Sequence, residues 1–298
     1  MAISERKGLI NALQTFHSFG GGYIYTSFAA KTSARRRSGR DPMVIETAFP
    51  AGRILGAPAS SPPALVLLPV DYGTDPGRRY PAVYILSDFR ESAAECLDRA
   101  AERGFARDDA ILVAVSGMNA LGGGFYVDSA LGGAWESYIV DRLVPAVDLA
   151  MRTRPEAAAR SLAGRGMGGF GALCIGLSRP DIFSSVDALS PMACAPGGIR
   201  AALAEWNAAG TPMLRQAYQA AFDLGGGSLL PIELALSMDG GDEGLAREWE
   251  RGLGGWENRL AACRAKAGRL PAISLRVEAG TAEWARRGAA AIQALLAA

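Results

Sequence analysis

The 298-residue sequence predicts an α/β protein with a mostly parallel central sheet and helices on both faces. From Ala64 onward, short apolar runs rich in Val, Ile and Leu alternate with longer helix-like runs. One strand-like run, RSLAG (160–164), passes through a Gly-rich turn straight into a helix-like run starting at Met167. With 49% hydrophobic residues the chain can bury one sizeable core.

Taken in order, residues 1–40 read as an N-terminal arm. Leu9, Ile10, Leu13 and Phe16 recur at helical spacing, Gly20-Gly21-Gly22 interrupts, and Tyr23-Ile24-Tyr25 follows. So apolar a stretch is expected to pack on the main domain or on a second copy, which makes a homo-oligomer through the arm an expectation. Residues 41–298 are expected to form a single domain. Its strands are ALVLLPV (64–70), AVYIL (82–86), AILVAV (110–115), RSLAG (160–164), SVDALS (185–190), IELALSM (232–238) and AISLRVE (272–278). Its helices are Ala93–Arg103, Ala134–Arg152, Met167–Ser178, Gly244–Ala267 and Glu283–Leu296. There is no internal repeat and no long linker, so 195–230 reads as an inserted cap or loop.

Composition excludes several classes. Lys and Arg total 31 against 30 Asp and Glu, so there is no basic excess to mark a nucleic-acid or acidic-membrane partner. Arg35-Arg36-Arg37 with Arg40 is the one local basic run, and it reads as a solvated loop. Cys96, Cys174, Cys194 and Cys263 are widely spaced, with no metal-ligand or disulfide-framework pattern, and are taken as reduced thiols. No cofactor motif stands out. The N-terminus has charges at Glu5, Arg6 and Lys7 without a following apolar run, so a cytoplasmic location is expected.

The turn at the centre of the chain, Gly164-Arg165-Gly166-Met167-Gly168, has the strand–turn–helix setting of a nucleophile elbow, where G-x-S-x-G lifts a serine hydroxyl above a sheet. Here glycine stands in the middle position.

The text around that turn, from Gly123 (GGFYVDSALGGAWESYIVDRLVPAVD) through RTRPEAAARSLAGRGMGGFGALCIGLSRPDIFSSVDALSP to Pro191, resembles the esterase D-like branch of the α/β-hydrolases. That branch holds S-formylglutathione hydrolases, feruloyl and acetylxylan esterases and mycolyltransferases. The resemblance extends over about residues 60–298 and implies an α/β-hydrolase fold. It also implies a serine at the elbow, an acid after the next-to-last strand, a histidine after the last strand and an oxyanion loop after the third. By this resemblance the serine position is Gly166, and the acid falls at Asp242 in Ser237-Met238-Asp239-Gly240-Gly241-Asp242. The histidine position in Glu278-Ala279-Gly280-Thr281-Ala282-Glu283-Trp284 is Ala282, and the oxyanion loop reads Leu86-Ser87-Asp88-Phe89-Arg90-Glu91. His17, the chain's one histidine, lies in the arm, where it reads as a packed or exposed residue.

Acyl transfer through serine needs a nucleophile, a base to take its proton and fixed donors for the oxyanion. All three parts are altered, which excludes serine-esterase chemistry. The number and spread of the changes read as natural loss rather than a knockout. Ser87, Asp88, Arg165, Gly166, Met167, Asp242, Ala282 and Glu283 are expected to line a mouth at the carboxyl ends of the strands. The leading expectation is a repurposed enzyme. In it a small organic ligand sits above Gly166 and undergoes isomerisation, elimination or cyclisation, with Asp242 and Asp88 as acid–base groups. Ser87, Arg165, Gly166, Met167, Ala282 and Glu283 would then contact the ligand. A catalytically inactive pseudoenzyme binding a ligand or protein partner is the alternative, and hydrolysis by a carboxylate-activated water stands third.

Overall fold

The structure, a computed structural model, describes residues 33–35, 44–47, 64–102, 109–210, 212–222 and 250–298. The predicted strand 232–238, most of the N-terminal arm, His17 and Asp242 lie outside the described residues.

Among the described residues, eight strands form the main sheet: β1 (Ser33–Arg35), β2 (Val44–Thr47), β3 (Ala64–Leu67), β4 (Ala82–Leu86), β5 (Ile111–Val115), β8 (Arg160–Arg165), β9 (Ser185–Leu189) and β10 (Ala272–Arg276). A separate two-stranded ribbon is made by β6 (Asp128–Ser129) and β7 (Gly133–Ala134). The order is β1-β2-β3-β5-β4-β8-β9-β10. Strands β5, β4, β8, β9 and β10 run parallel, whereas β1, β2 and β3 join antiparallel. The basic run read as a solvated loop therefore begins inside a strand, at Arg35.

Strand β5, paired antiparallel with β3 on one side and parallel with β4 on the other, is buried along its whole length, as a continuous apolar run covered on both faces should be. Strand β3 stops at Leu67, short of the expected Val70, where the chain turns through Val70–Gly73 after Pro69, which has no N–H for a ladder.

Helix α1 (Ala93–Glu102) starts with a reciprocal cap: Glu95 N–H donates to Ser92 Oγ and Ser92 N–H donates to Glu95 Oε2. Its Ala93, Cys96, Leu97 and Ala100 cover Leu65, Ile85, Leu112 and Ala163 on one sheet face. Beyond α1 that face is polar over β9 and β10, where Ser185 donates to Ser161 (2.6 Å) and Arg276 pairs with Asp187 (2.7 Å).

The opposite face carries the larger core. Helix α2 runs Trp135–Ser137, Tyr138–Leu143 and Val144–Ala150, the middle stretch being π-helical just ahead of Pro145, a residue that cannot supply the usual helical N–H. Helix α3 (Met167–Ser178) is buried almost end to end. The predicted cap region contributes α4 (Ile199–Ala208) and α5 (Pro212–Ala221), whose Trp206 and Tyr218 stack edge to face 5.7 Å apart.

Helix α6 is Trp256–Ala267, not one helix from Gly244. Residues 250–253 are helical, but Gly254-Gly255, with Gly255 at φ 69°, separates them from it. Helix α7 is Glu283–Ala297. Strands β9 and β10 pair directly over five residues, so no other strand separates the elbow side of the sheet from the last strand.

Register brings the site together. Leu86 pairs with Gly164, Arg165 with Leu189, and Leu189 with Arg276, so the carboxyl ends of β4, β8, β9 and β10 come out side by side.

Candidate functional site

Glycines make the turn between β8 and α3 possible. Gly166 sits at φ 55°, ψ −117°, a conformation that side chains strongly disfavour. A Cβ on Gly168 would stand 2.7 Å from Ser87 O, so the start of α3 can press against the end of β4 only without one. This contact brings the loop after β4 directly over the turn.

That loop delivers Asp88. Its Oδ1 accepts hydrogen bonds from two backbone N–H groups, Phe89 in its own loop (2.8 Å) and Met167 at the first turn of α3 (2.9 Å). Its Oδ2 lies 2.9 Å from Arg165 Nη1. A Cβ added to Gly166 would stand 2.5 Å from Asp88 Cγ, with Oδ1 closer still. The carboxylate thus fills the space a side chain at 166 would take, and its side chain is only 17% exposed.

Arg165 also donates through Nε to Glu278 Oε2 at 2.8 Å. The result is a carboxylate–guanidinium–carboxylate chain across the ends of β4, β8 and β10. Hydrogen bonding to Glu278, then the nearby carboxylates, hold the Arg165 guanidinium above its ordinary pKa.

Beneath Asp88, its own N–H donates to Glu91 Oε2 (2.6 Å), and Glu91 Oε1 meets Arg99 Nη2 at 2.5 Å. Glu91 is 6% exposed, and burial pushes its carboxyl pKa up in spite of those partners. At the far end, Glu278 N–H donates to Ser190 Oγ (2.9 Å), which meets Thr281 Oγ1 at 2.8 Å; Thr281 Oγ1 donates in turn to Glu278 O. Both hydroxyls are occupied in tying the loop after β10 to the loop after β9.

The expected mouth is therefore assembled only in part. Asp88, Arg165 and Gly166 come together at the ends of the strands, in contact with one another. Met167 reaches the site through its N–H alone, because its side chain is fully buried in the core. Ser87 is not a lining residue: it is fully buried, accepting from Gly117 N–H (3.2 Å) and meeting Tyr126 OH at 3.0 Å. Tyr126 also donates towards the carbonyls of Ser87 and Val115, which turns Ser87 away from the elbow. Ala282 is half-buried at the start of α7 and packs against the core. Glu283 points out, 54% exposed, paired with Arg286 and Arg287.

The expectation of Arg165 as an anchor for an anionic ligand meets a competitor: its Nη1 is already held by Asp88 and its Nε by Glu278. Glu278 is the functional neighbour that sequence reading passed over. Its signal was a carboxylate at the end of the last predicted strand; in the sheet β9 lies between that strand and the one carrying Arg165.

A groove opens on the α1 side of the elbow, among Ile85, Cys96, Ala100, Ala163 and Leu189, with Arg165 and Asp187 at its rim. Its volume of about 40 Å³ suits roughly three water molecules, less than a small organic substrate needs. Among the described residues no group of His, Cys, Asp and Glu is placed to hold a metal ion, and no helix is long and apolar enough to cross a membrane. All four cysteines are buried and unbridged.

A family model named Esterase, with the description "Putative esterase", matches residues 57–237, more than half of the chain. Among solved structures, the chain is similar to an S-formylglutathione hydrolase from Agrobacterium tumefaciens, with 17% identity and a TM-score of 0.51, over 85% of this chain and 81% of that one. It is also similar to an S-formylglutathione hydrolase from Staphylococcus aureus, with 12% identity, a TM-score of 0.42 and coverage of 84% and 76%. A third likeness is to MPT51 of Mycobacterium tuberculosis, with 14% identity, a TM-score of 0.39 and coverage of 82% and 97%. No curated protein sequence matches. The fold is that of an α/β-hydrolase, as the elbow and the parallel strand order around it require.

Proposed function

The chain belongs to the Esterase family, and we propose that within it this protein is a non-catalytic member that binds a ligand or protein partner instead of turning over an ester. The observation that carries this reading is the Asp88 carboxylate lodged at Gly166 on the N–H groups of Phe89 and Met167. A serine there would have no room for its side chain. A developing oxyanion would meet a negative charge already seated on the donors meant for it. This geometry favours the alternative named from the sequence over the repurposed enzyme.

Non-hydrolytic chemistry keeps one support, the charge that Asp88 and Arg165 bring to the elbow. It would need Asp88 free to exchange protons with a ligand, and that carboxylate is engaged by two N–H donors and a guanidinium. The reading is tested by treating the purified protein with a fluorophosphonate probe and with 4-nitrophenyl acetate. The expected result is no covalent label and nitrophenol release equal to buffer. Labelling of any serine, or ester turnover that Asp88→Asn or Asp242→Asn abolishes, would overturn it.

A further inference from the structure

Asp88 is bound in the manner of a ligand. Its carboxylate receives the backbone N–H of Phe89 next to it, the backbone N–H of Met167 at the start of α3 and one guanidinium N–H, 2.8, 2.9 and 2.9 Å away, and it sits in a space left by a residue without a side chain. None of the three donors belongs to a neighbouring carboxylate's fixed partner set except Arg165, whose Nε is held by Glu278 so that Nη1 points at Asp88. Charge-assisted bonds of this kind are stronger than neutral ones.

We propose that the cradle formed by Phe89 N–H, Met167 N–H and Arg165 is a carboxylate-binding site that the chain keeps closed with its own Asp88 side chain. The inference rests on the non-catalytic reading above and goes further by naming what the elbow recognises: a carboxylate group, whether tethered at residue 88 or free. Asp88 is an intramolecular competitor, since a tethered group acts at an effective concentration that a free ion at low concentration cannot match. Glu278 acts through Arg165 and is a positioning residue.

Removing the tethered carboxylate opens the site. Asp88→Gly takes away the acetate-like part of the side chain, so acetate is the matching probe, and formate matches Asp88→Ala. The expected affinity is about 1–10 mM, that of one small anion on a few donors. At a concentration about twenty times Kd the melting temperature of Asp88→Gly should rise by about 3–5 °C. Sodium chloride at equal ionic strength should not reproduce the rise, and the wild-type protein and Asp88→Asn, whose amide still fills the space, should not show it. Carboxyl-labelled ¹³C acetate should broaden with Asp88→Gly and remain sharp with the other two. Adding Glu278→Gln to Asp88→Gly keeps an acceptor for Arg165 Nε and removes a nearby negative charge, so acetate binding should tighten several-fold.

If the variants fold only when acetate or formate is present, the proposal gains the same support as a shift in melting temperature. Equal response to chloride and acetate, no broadening, or variants that stay unfolded with and without carboxylate would each overturn it. Those outcomes leave the absence of fluorophosphonate labelling in the wild-type protein untouched, so failure of this inference and failure of the non-catalytic reading are distinguishable.

Discussion

The carboxylate of Asp88 occupies the volume that a side chain at Gly166 would need, with Cγ 2.5 Å from the position of the missing Cβ. Two residues far apart in sequence therefore exclude each other's alternatives. Gly166→Ala should destabilise the fold by about 2–4 kcal/mol, from the overlap and from φ 55° together. In an Asp88→Gly background the same change should cost about 1–2 kcal/mol less, a coupling that urea unfolding of the four proteins would measure. Additive losses would show that the two residues do not compete for space.

Restoring the apparent machinery should fail. Gly166→Ser with Ala282→His supplies a hydroxyl and an imidazole but leaves Asp88 on the donors, so esterase activity should stay at the buffer level. A nitrophenyl ester assay reads this directly, and robust turnover would contradict the role given to Asp88.

Ser87 should matter for stability rather than binding. Ser87→Ala removes the partner of Gly117 N–H and Tyr126 OH in a fully buried place, and a loss of about 1–3 kcal/mol is expected. Tyr126 retains two carbonyl acceptors, which keeps the loss at the lower end. Acetate binding by Asp88→Gly should survive the added change.

Arg165→Gln should have a modest effect on the melt, about 1 kcal/mol or less, because the side chain is 41% exposed and the pairs are screened. The remaining Asp88 and Glu278 carboxylates would lose their shared cation, so the variant should be more sensitive than wild type to lowered salt. An identical salt response would argue against the three-residue chain.

Glu91 sets a pH signature. Its folded pKa is raised, chiefly by burial, so between the ordinary glutamate value and that raised value the folded state holds more proton than the unfolded state. The contribution of Glu91 to stability is therefore full below that window and is lost as pH rises through it. Urea melts of wild type and Glu91→Gln across mildly acidic to neutral pH should show wild type gaining relative to the variant as pH falls. A difference independent of pH would reject the assignment.

Much of this protein was legible in one dimension. Strand β4 falls where AVYIL predicts it and α3 where Met167–Ser178 predicts it, because apolar runs and glycine turns act over a few residues. That glycine stands in the middle of the elbow and alanine at 282 is likewise a property of the sequence. The sequence also named Asp88 and Arg165 as the charges at the elbow, but it offered Ser87, Met167 and Glu283 as equal partners. Only the tertiary structure decided that Ser87 turns inward to Tyr126, that Glu283 turns outward to Arg286 and Arg287, and that Asp88 lies on the elbow itself. Arg165 meets Asp88 across 77 positions and Glu278 across 113. Those meetings depend on strand order and register, which place the ends of β4, β8, β9 and β10 side by side, and long-range pairing of that kind leaves no periodic trace in the chain.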